Sequence, residues 1–336
     1  MDIIATLRKK ILTLDDGEHI AGLRAALLHI ETAFRHLRRG QRENDKSAFT
    51  DTVYRTNQAF EGAIKEAYRV HLRKDPSKTT PYDIETYFSR SGTFRERVLL
   101  QFKSYRTEWR NPSAHDYRLD FNESEAFLAI VSVTALSCLL VDEINQRVAF
   151  DKEKAAVKEI AEKVNSTLNL QSNGLLSQIT ETLKLYFVSR SNDAFSNEAQ
   201  WLGSICGFLS EVIPNIEIQT EDMLDSRKHN VKFDILATIE AEQVGILIKN
   251  KINVLTYNTL LDQVENMMLA ANIKDSVIFF LPTLSTYQQV FESEGVILNG
   301  QGRLKTIAPI PIRHRLPYDA GENDLGSIQD TFVDKD

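Results

Sequence analysis

Within Trp109-Arg110-Asn111-Pro112-Ser113-Ala114-His115-Asp116, an arginine and a histidine stand five residues apart. A guanidinium can clamp a phosphate through two parallel N–H bonds, and an imidazole titrates near neutrality. Together they suit cleavage of RNA without a metal, since RNA carries its own nucleophile in the 2′-hydroxyl. That reaction needs the hydroxyl deprotonated, the phosphorane charge stabilised and the 5′-oxygen protonated. His115 can serve as base or acid, Arg110 can stabilise the phosphoryl oxygens, and Asn111 can orient either one. Pro112 cannot continue a helix, so Arg110 is expected to end one helix and His115 to open the next turn. Such a break would converge two side chains that a straight helix separates by about 140°. The plainer alternative pairs Arg110 with Glu108 or Asp116 and uses His115 as a helix cap.

The elements around this stretch read as helices. Leu23, Ala26, Leu27, Ile30, Phe34 and Leu37 recur at helical spacing, and Val53, Ala59, Phe60, Ala63, Ile64 and Ala67 line a second helix over about 49–72. Asp75-Pro76-Ser77-Lys78 and Thr80-Pro81 mark a loop. A third helix is predicted over about 93–109. Asn122 and Glu125 form a capping box for a fourth, which is apolar almost all round, reaches about Val148 and should lie at the centre of the bundle.

Beyond residue 150 the pattern changes. Residues 151–190 are charged and mostly helical, broken only by Gln171-Ser172-Asn173-Gly174. A helix from Glu198 to Val212 stops at Pro214. Ile216–Gln219, Val231–Ile239 and Val244–Ile252 then read as strands, the last two joined by a turn at Glu240-Ala241-Glu242. Leu260–Ala271 is helical, and Val277–Leu281 is a short buried strand. The order α-β-β-β-α-β predicts an α/β domain.

The helical half, over about residues 20–150, resembles the HEPN superfamily of helical bundles, which includes many prokaryotic defence and toxin RNases. The resemblance rests on Arg110, a polar Asn111, a short gap and His115, placed between the third and fourth helices. It implies a metal-independent endoribonuclease. It also implies a homodimer that sets two Arg/His pairs side by side, since one histidine alone is one proton-transfer group short.

Residues 190–290 resemble the PD-(D/E)xK restriction-endonuclease-like fold. Lys232-Phe233-Asp234-Ile235-Leu236 fits that family's Asp strand, Gly245-Ile246-Leu247-Ile248-Lys249 its third strand, and Gln263 a glutamine in the following helix. Glu198 fits the first-helix acid. The position of the second metal-binding acid, however, is Leu247, and an apolar side chain cannot ligate Mg²⁺. The resemblance therefore implies a degenerate domain that senses or binds nucleic acid, DNA included. Mg²⁺ is expected only if Glu198 or Glu240 reaches in to complete the site, and otherwise no cofactor is expected.

The expected organisation is α+β with two domains. A helical bundle over 1–152 is followed by a helical linker over 153–189, a restriction-endonuclease-like α/β domain over 190–317 and an acidic, disordered tail over 318–336. Two readings stand beside the RNase: a metal-dependent DNase working through Asp234 and Lys249, and a non-catalytic binding or assembly protein.

Charge bears on these classes. The chain of 336 residues carries −7 overall. Residues 1–150 hold 23 Lys and Arg against 21 acids (+2), which leaves −9 for the remainder. Overall acidity argues against non-specific coating of nucleic acid, but from Arg90 to Arg118 seven cations face three acids. In that stretch Tyr105, Trp109 and Tyr117 interleave with Lys103, Arg106, Arg110 and Arg118. Such a mixture suits single-stranded RNA, although two of the three aromatics are expected in the core. Cys138 and Cys206 lie far apart in apolar surroundings and read as core thiols of a reducing compartment. The remaining histidines show no metal-ligand spacing. The N-terminus lacks a signal-peptide pattern. The apolar run Ala126–Val141 is shorter than the roughly 20 residues of a membrane span, so a cytoplasmic protein without a membrane segment is expected.

Overall fold

A computed structural model describes residues 2–94, 96–116, 118–168, 174–190, 197–220, 233–250, 254–282 and 290–309. The protein is mixed α and β, mostly helical, with a six-stranded mixed sheet in its C-terminal part. It divides into two compact units. The first holds residues up to 161, 195–211 and 219–228, and the second holds 162–194, 212–218 and 229 onward. The acidic tail lies outside the described residues.

In the first unit, α1 (Ile3–Leu12), α2 (His19–Glu43) and α3 (Ser47–Leu72) precede α4 (Pro81–Ser91) and α5 (Glu96–Tyr105). Helices α2 and α3 pack along their length. Leu23, Ala26, Ile30, Ala33 and Leu37 meet Val53, Phe60, Ala63, Ile64 and Ala67 in one core, as the helical spacing predicts. Small residues at Ala26, Ala33, Ala63 and Ala67 let the two backbones approach closely. Helix α4, not foreseen as a helix, starts on Thr80, whose side chain accepts from the Asp83 N–H, with Pro81 in its first turn.

Helix α7 (Glu123–Leu168) begins with the predicted capping box. The Asn122 N–H donates to Glu125 Oε2 at 2.8 Å, and the Glu125 N–H donates to Asn122 Oδ1 at 3.0 Å. It does not end near Val148 but runs 46 residues, because no Gly or Pro interrupts 123–168. One face of α7 is core, from Ala126 to Ile144. Phe127, Leu128 and Leu139 on another face are 55%, 52% and 43% exposed, so the helix is not buried all round. Its segment Glu123–Lys158 is, by length and composition, long and apolar enough to cross a membrane, with half of its most apolar window buried inside the protein.

Helix α9 (Glu198–Val212) departs from the expected organisation, since up to Glu211 it belongs to the helical unit. It lies against α7 where a Cβ on Gly203 would collide with the Gln146 carbonyl oxygen. Only glycine permits that approach. Ser204 Oγ donates to Glu153 Oε2 at 2.9 Å, and Gln200 Nε2 donates to the Thr13 carbonyl at 3.0 Å.

The second unit is layered. Its sheet has the order β1-β2-β3-β4-β6-β5, built from β1 (Glu217–Thr220), β2 (Ile235–Ile239), β3 (Glu242–Lys249), β4 (Asp275–Phe280), β5 (Val290–Ile297) and β6 (Gly302–Pro309). β2 and β3 are antiparallel, whereas β3, β4 and β6 run parallel. The α-β-β-β-α-β order is present, completed by α10 (Val254–Ala271). The hairpin of β5 and β6 was not anticipated. It turns through Leu298-Asn299-Gly300, all at positive φ.

Helix α8 (Leu175–Ser189) corrects the expected linker over 153–189. It is part of this unit's core, with Tyr186 and Phe187 ring centroids 6.1 and 6.5 Å from that of Phe279. The alternating neighbours Ile278 and Phe280 pack instead with Val264, Met267 and Met268 of α10. The sheet is therefore covered on both faces, which explains the continuous apolar run of β4.

Candidate active site

The chain does not break at Pro112. Helix α5 passes into a π-helical turn over Arg106–Arg110 and then into α6 (Asn111–His115). The Asn111 N–H bonds the Arg106 carbonyl, an i→i+5 register. A proline ring collides with the carbonyl four residues earlier in an α-helix, and a wider turn just before it moves that carbonyl away. The expectation that Pro112 ends a helix and converges Arg110 on His115 is thus corrected. Both lie in one helical run, and His115 closes it, with the Asp116 N–H bonded to the Pro112 carbonyl at 2.8 Å. The His115 side chain and Tyr117 lie outside the described residues.

Arg110 is half-buried and pairs with Glu61 of α3, not with Glu108 or Asp116. Its Nε donates to Glu61 Oε1 at 2.7 Å, and its Nη1 donates to Asn111 Oδ1 at 3.1 Å. These bonds use two of the guanidinium's five N–H donors. The turn is fixed from below by a buried polar chain. Asn57 Nδ2 donates to Ser113 Oγ at 2.6 Å, and Ser113 Oγ donates to the Arg110 carbonyl at 3.0 Å. The Tyr105 hydroxyl lies within hydrogen-bond distance of Thr56 Oγ1, at 2.8 Å, and of the acceptor Asn57 Oδ1, at 3.0 Å, and burial pushes the phenol pKa up. Of the three aromatics of this stretch, Tyr105 is core. Trp109 is partly buried and stacks between Tyr105 and Phe121, at 6.5 and 5.8 Å.

Arg110 and Asn111 open onto a cleft of about 350 Å³, whose walls include Lys65, Lys78, Tyr82 and Arg106. Arg106 is partly buried and held by the buried Glu85, its Nε donating to the two carboxylate oxygens at 2.9 and 3.0 Å. Burial raises the Glu85 pKa against the pull of Arg106. Sequence reading missed Glu61, Lys65, Lys78 and Tyr82. The signal was present in Glu61 and Lys65, four residues apart and both off the apolar face of α3.

The second expected site is built differently. Asp234 Oδ2 accepts the Ile248 N–H at 2.6 Å, tying the start of β2 to β3. Leu247, in the place of the second acid, is 5% exposed and packs with Phe233, Met267 and Ile278. Lys249 ends β3, and its carbonyl accepts the Leu281 N–H at 2.9 Å. Gln263 is exposed on α10. Glu240 lies beyond the far end of β2, six residues and about 20 Å of strand from Asp234. Glu198 belongs to the other unit. Neither is brought beside Asp234 within this unit, and a core leucine next to a hydrogen-bonded carboxylate does not make a Mg²⁺ donor set. Among the described residues no group of three or more His, Cys, Asp or Glu could hold a metal ion.

No protein-family model, curated protein or solved structure matches the chain.

Proposed function

We propose that this protein is a metal-independent endoribonuclease of HEPN type that uses Arg110 and His115, with Asn111 orienting the guanidinium. The observation that carries the reading is the Arg110 side chain. It is anchored by Glu61 and Asn111, half-buried, and placed at a cleft rich in cations. Such a guanidinium is preorganised to meet charge as it develops on a phosphoryl group. His115 supplies proton transfer. Along α6 the two positions are about 140° apart, which favours a composite site in which a second copy contributes the other proton-transfer group. The attacking 2′-hydroxyl forms the new P–O bond, the 5′-oxygen leaves with a proton, and a 2′,3′-cyclic phosphate remains.

In this reading the second unit is a degenerate nuclease-like module that binds or senses nucleic acid. The protein acts in the cytoplasm in prokaryotic defence or as a toxin.

The test is incubation of the purified protein with total RNA and with DNA, with and without EDTA. RNA is expected to be cut in EDTA to 2′,3′-cyclic phosphate ends, and a 2′-deoxy sugar at the cut should block the reaction. Arg110→Lys should rescue Arg110→Ala poorly, because an ammonium lacks the planar two-point contact. Cutting of 2′-deoxy substrate, or 5′-phosphate and 3′-hydroxyl ends, would overturn the mechanism. A monomer in light scattering at about 10 μM, in the range of weak complexes, would overturn the composite site.

A further inference from the structure

We propose that the cleft beside Arg110 is a subsite for one nucleotide of single-stranded RNA flanking the scissile phosphate, with Lys65 and Lys78 binding its phosphate and Tyr82 stacking on its base. The inference rests on the endoribonuclease reading and adds to it the residues that seat the strand.

Three observations carry it. The first is charge. Among the described residues neither Lys65 nor Lys78 has an ion-pair partner, whereas the two arginines of the same cleft are neutralised, Arg106 by Glu85 and Arg110 by Glu61. Asp75 acts on Lys78 only through space, and its two carboxylate oxygens accept from the Ser77 N–H and hydroxyl. The cleft therefore carries two uncompensated positive charges where a bound anion would supply the counter-charge.

The second observation is the aromatic. Tyr82 is 61% exposed at the first turn of α4. The Arg106 guanidinium lies 5.2 Å from its ring centroid and is itself fixed by two bonds to Glu85. The ring is thereby braced by a rigid cation while most of it stays in water. A braced, solvent-facing ring suits a base, because every base offers a π-face whatever its identity.

The third observation is size. About 350 Å³ is at the small end of ligand pockets, roughly 300–1,000 Å³. It admits one nucleotide and not a paired stem, which predicts a preference for unpaired RNA with little sequence discrimination at this position.

The test uses the full chain carrying His115→Ala, to prevent turnover, and a fluorescein-labelled single-stranded ten-nucleotide RNA read by anisotropy. Cleavage of the same RNA by protein with intact His115 is measured in parallel. Lys65→Gln with Lys78→Gln should weaken binding about tenfold and flatten the dependence of log K on log salt by about 1, since two phosphate-contacting cations are lost. Tyr82→Ala should weaken binding about 5- to 100-fold, and Tyr82→Phe should restore it, since the stacked face is retained. In cleavage the same changes should raise KM and leave kcat near its starting value. Lys9→Gln, on the exposed face of α1, is the control and should change nothing. A hairpin burying the same ten nucleotides in a stem should bind at least tenfold more weakly. If RNA is cut and the cleft variants behave like Lys9→Gln, the subsite is overturned and the endoribonuclease reading stands. If RNA is not cut but binding falls in the cleft variants, the subsite stands and the endoribonuclease reading fails. If RNA is neither cut nor bound, both fail.

Discussion

The segments around Arg110 and Asp234 are the two candidate sites of the sequence, but their polar groups face different tasks. Arg110 is bonded to a carboxylate and an amide and still presents N–H donors to a cleft shared with Lys65 and Lys78. Asp234 gives an oxygen to a backbone N–H, and its partner position holds a leucine packed in the core. A motif is best judged by what its polar atoms have left to do. A polar group that knits two strands contributes to the fold, whereas one held in place and still able to donate is equipped for a ligand.

The two segments should differ most in activity. His115→Ala should lower RNA cleavage by about 10²–10⁴, and Arg110→Ala by a comparable factor, while Asp234→Ala should leave the cleavage rate within about twofold. Initial rates on one RNA substrate check all three. A large loss for Asp234→Ala in folded protein would mean that the second unit contributes chemistry.

On stability the roles reverse. Leu247→Ala should cost about 2–5 kcal/mol through the cavity it leaves against Met267 and Ile278, with cleavage at 25 °C little changed. Denaturant titration followed by far-UV circular dichroism reads the loss. Equal stability of this variant and the parent protein would mean that Leu247 is not a core residue.

Asn57→Ala tests whether the turn below Arg110 is held by its buried chain. It removes the bond that Ser113 Oγ accepts and an acceptor of the Tyr105 hydroxyl, at a cost of about 1–3 kcal/mol. Because Ser113 also bonds the Arg110 carbonyl, cleavage should fall with the melting temperature. Unchanged kcat in a destabilised protein would separate the chain from the site.

The smallest expected effect concerns pH. His19, His29 and His36 of α2 have pKa values lowered by burial, with Arg69 adding to the effect at His19, Arg55 at His29 and Arg39 at His36, where Asp51 opposes it. At these three sites the unfolded chain binds more protons, so their contribution to stability is lost as pH falls below about 6.5, whereas Glu66 and Glu85, whose pKa values burial raises, act in the opposite direction as they protonate. In the second unit burial raises the Glu292 pKa, but bonds from Lys305 and Lys184 outweigh it, and the net shift is downward. That contribution is present above the unfolded carboxylate value, near 4.3, and is lost only below it. Both tryptophans, Trp109 and Trp201, belong to the first unit. Their emission should therefore report a melting temperature that drops by about 2–4 °C per kcal/mol between pH 7 and 5, with a smaller slope in His19→Gln. A flat or rising profile would mean that Glu66 and Glu85 outweigh the three histidines.

Much of this architecture was legible because local signals agreed with tertiary ones. The α2 and α3 apolar spacings, the Asn122–Glu125 box and the β-rich runs of β2 and β3 each name an element by its own residues. What was missed depended on partners distant in sequence. Nothing near Glu198 tells that Gly203 lets α9 settle against α7, so that helix was grouped with the strands that follow it. Tyr186 and Phe187 read as part of a charged helical stretch until Phe279 gives them a sheet to cover. The Arg110 site was legible as residue types but not as geometry, since the pull of Glu61 and the response to Pro112 come from the packed bundle. The sheet's last hairpin carried its own signal in Asn299-Gly300 and was overlooked.

The wide turn at Arg106–Arg110 has a consequence for rotational phase. A straight α-helix would set Ser113 about 80° around the axis from Tyr105. The slower rotation of an i→i+5 turn removes much of that offset, and both residues reach the same Asn57. The turn behaves as a one-residue insertion absorbed without loss of the buried face, with the surplus displayed outward as Arg110. Deleting a single residue here, such as Thr107, would bring the helix back into step. The same sequence would then present its guanidinium in a different direction, so the position of the site is encoded partly in a count of residues.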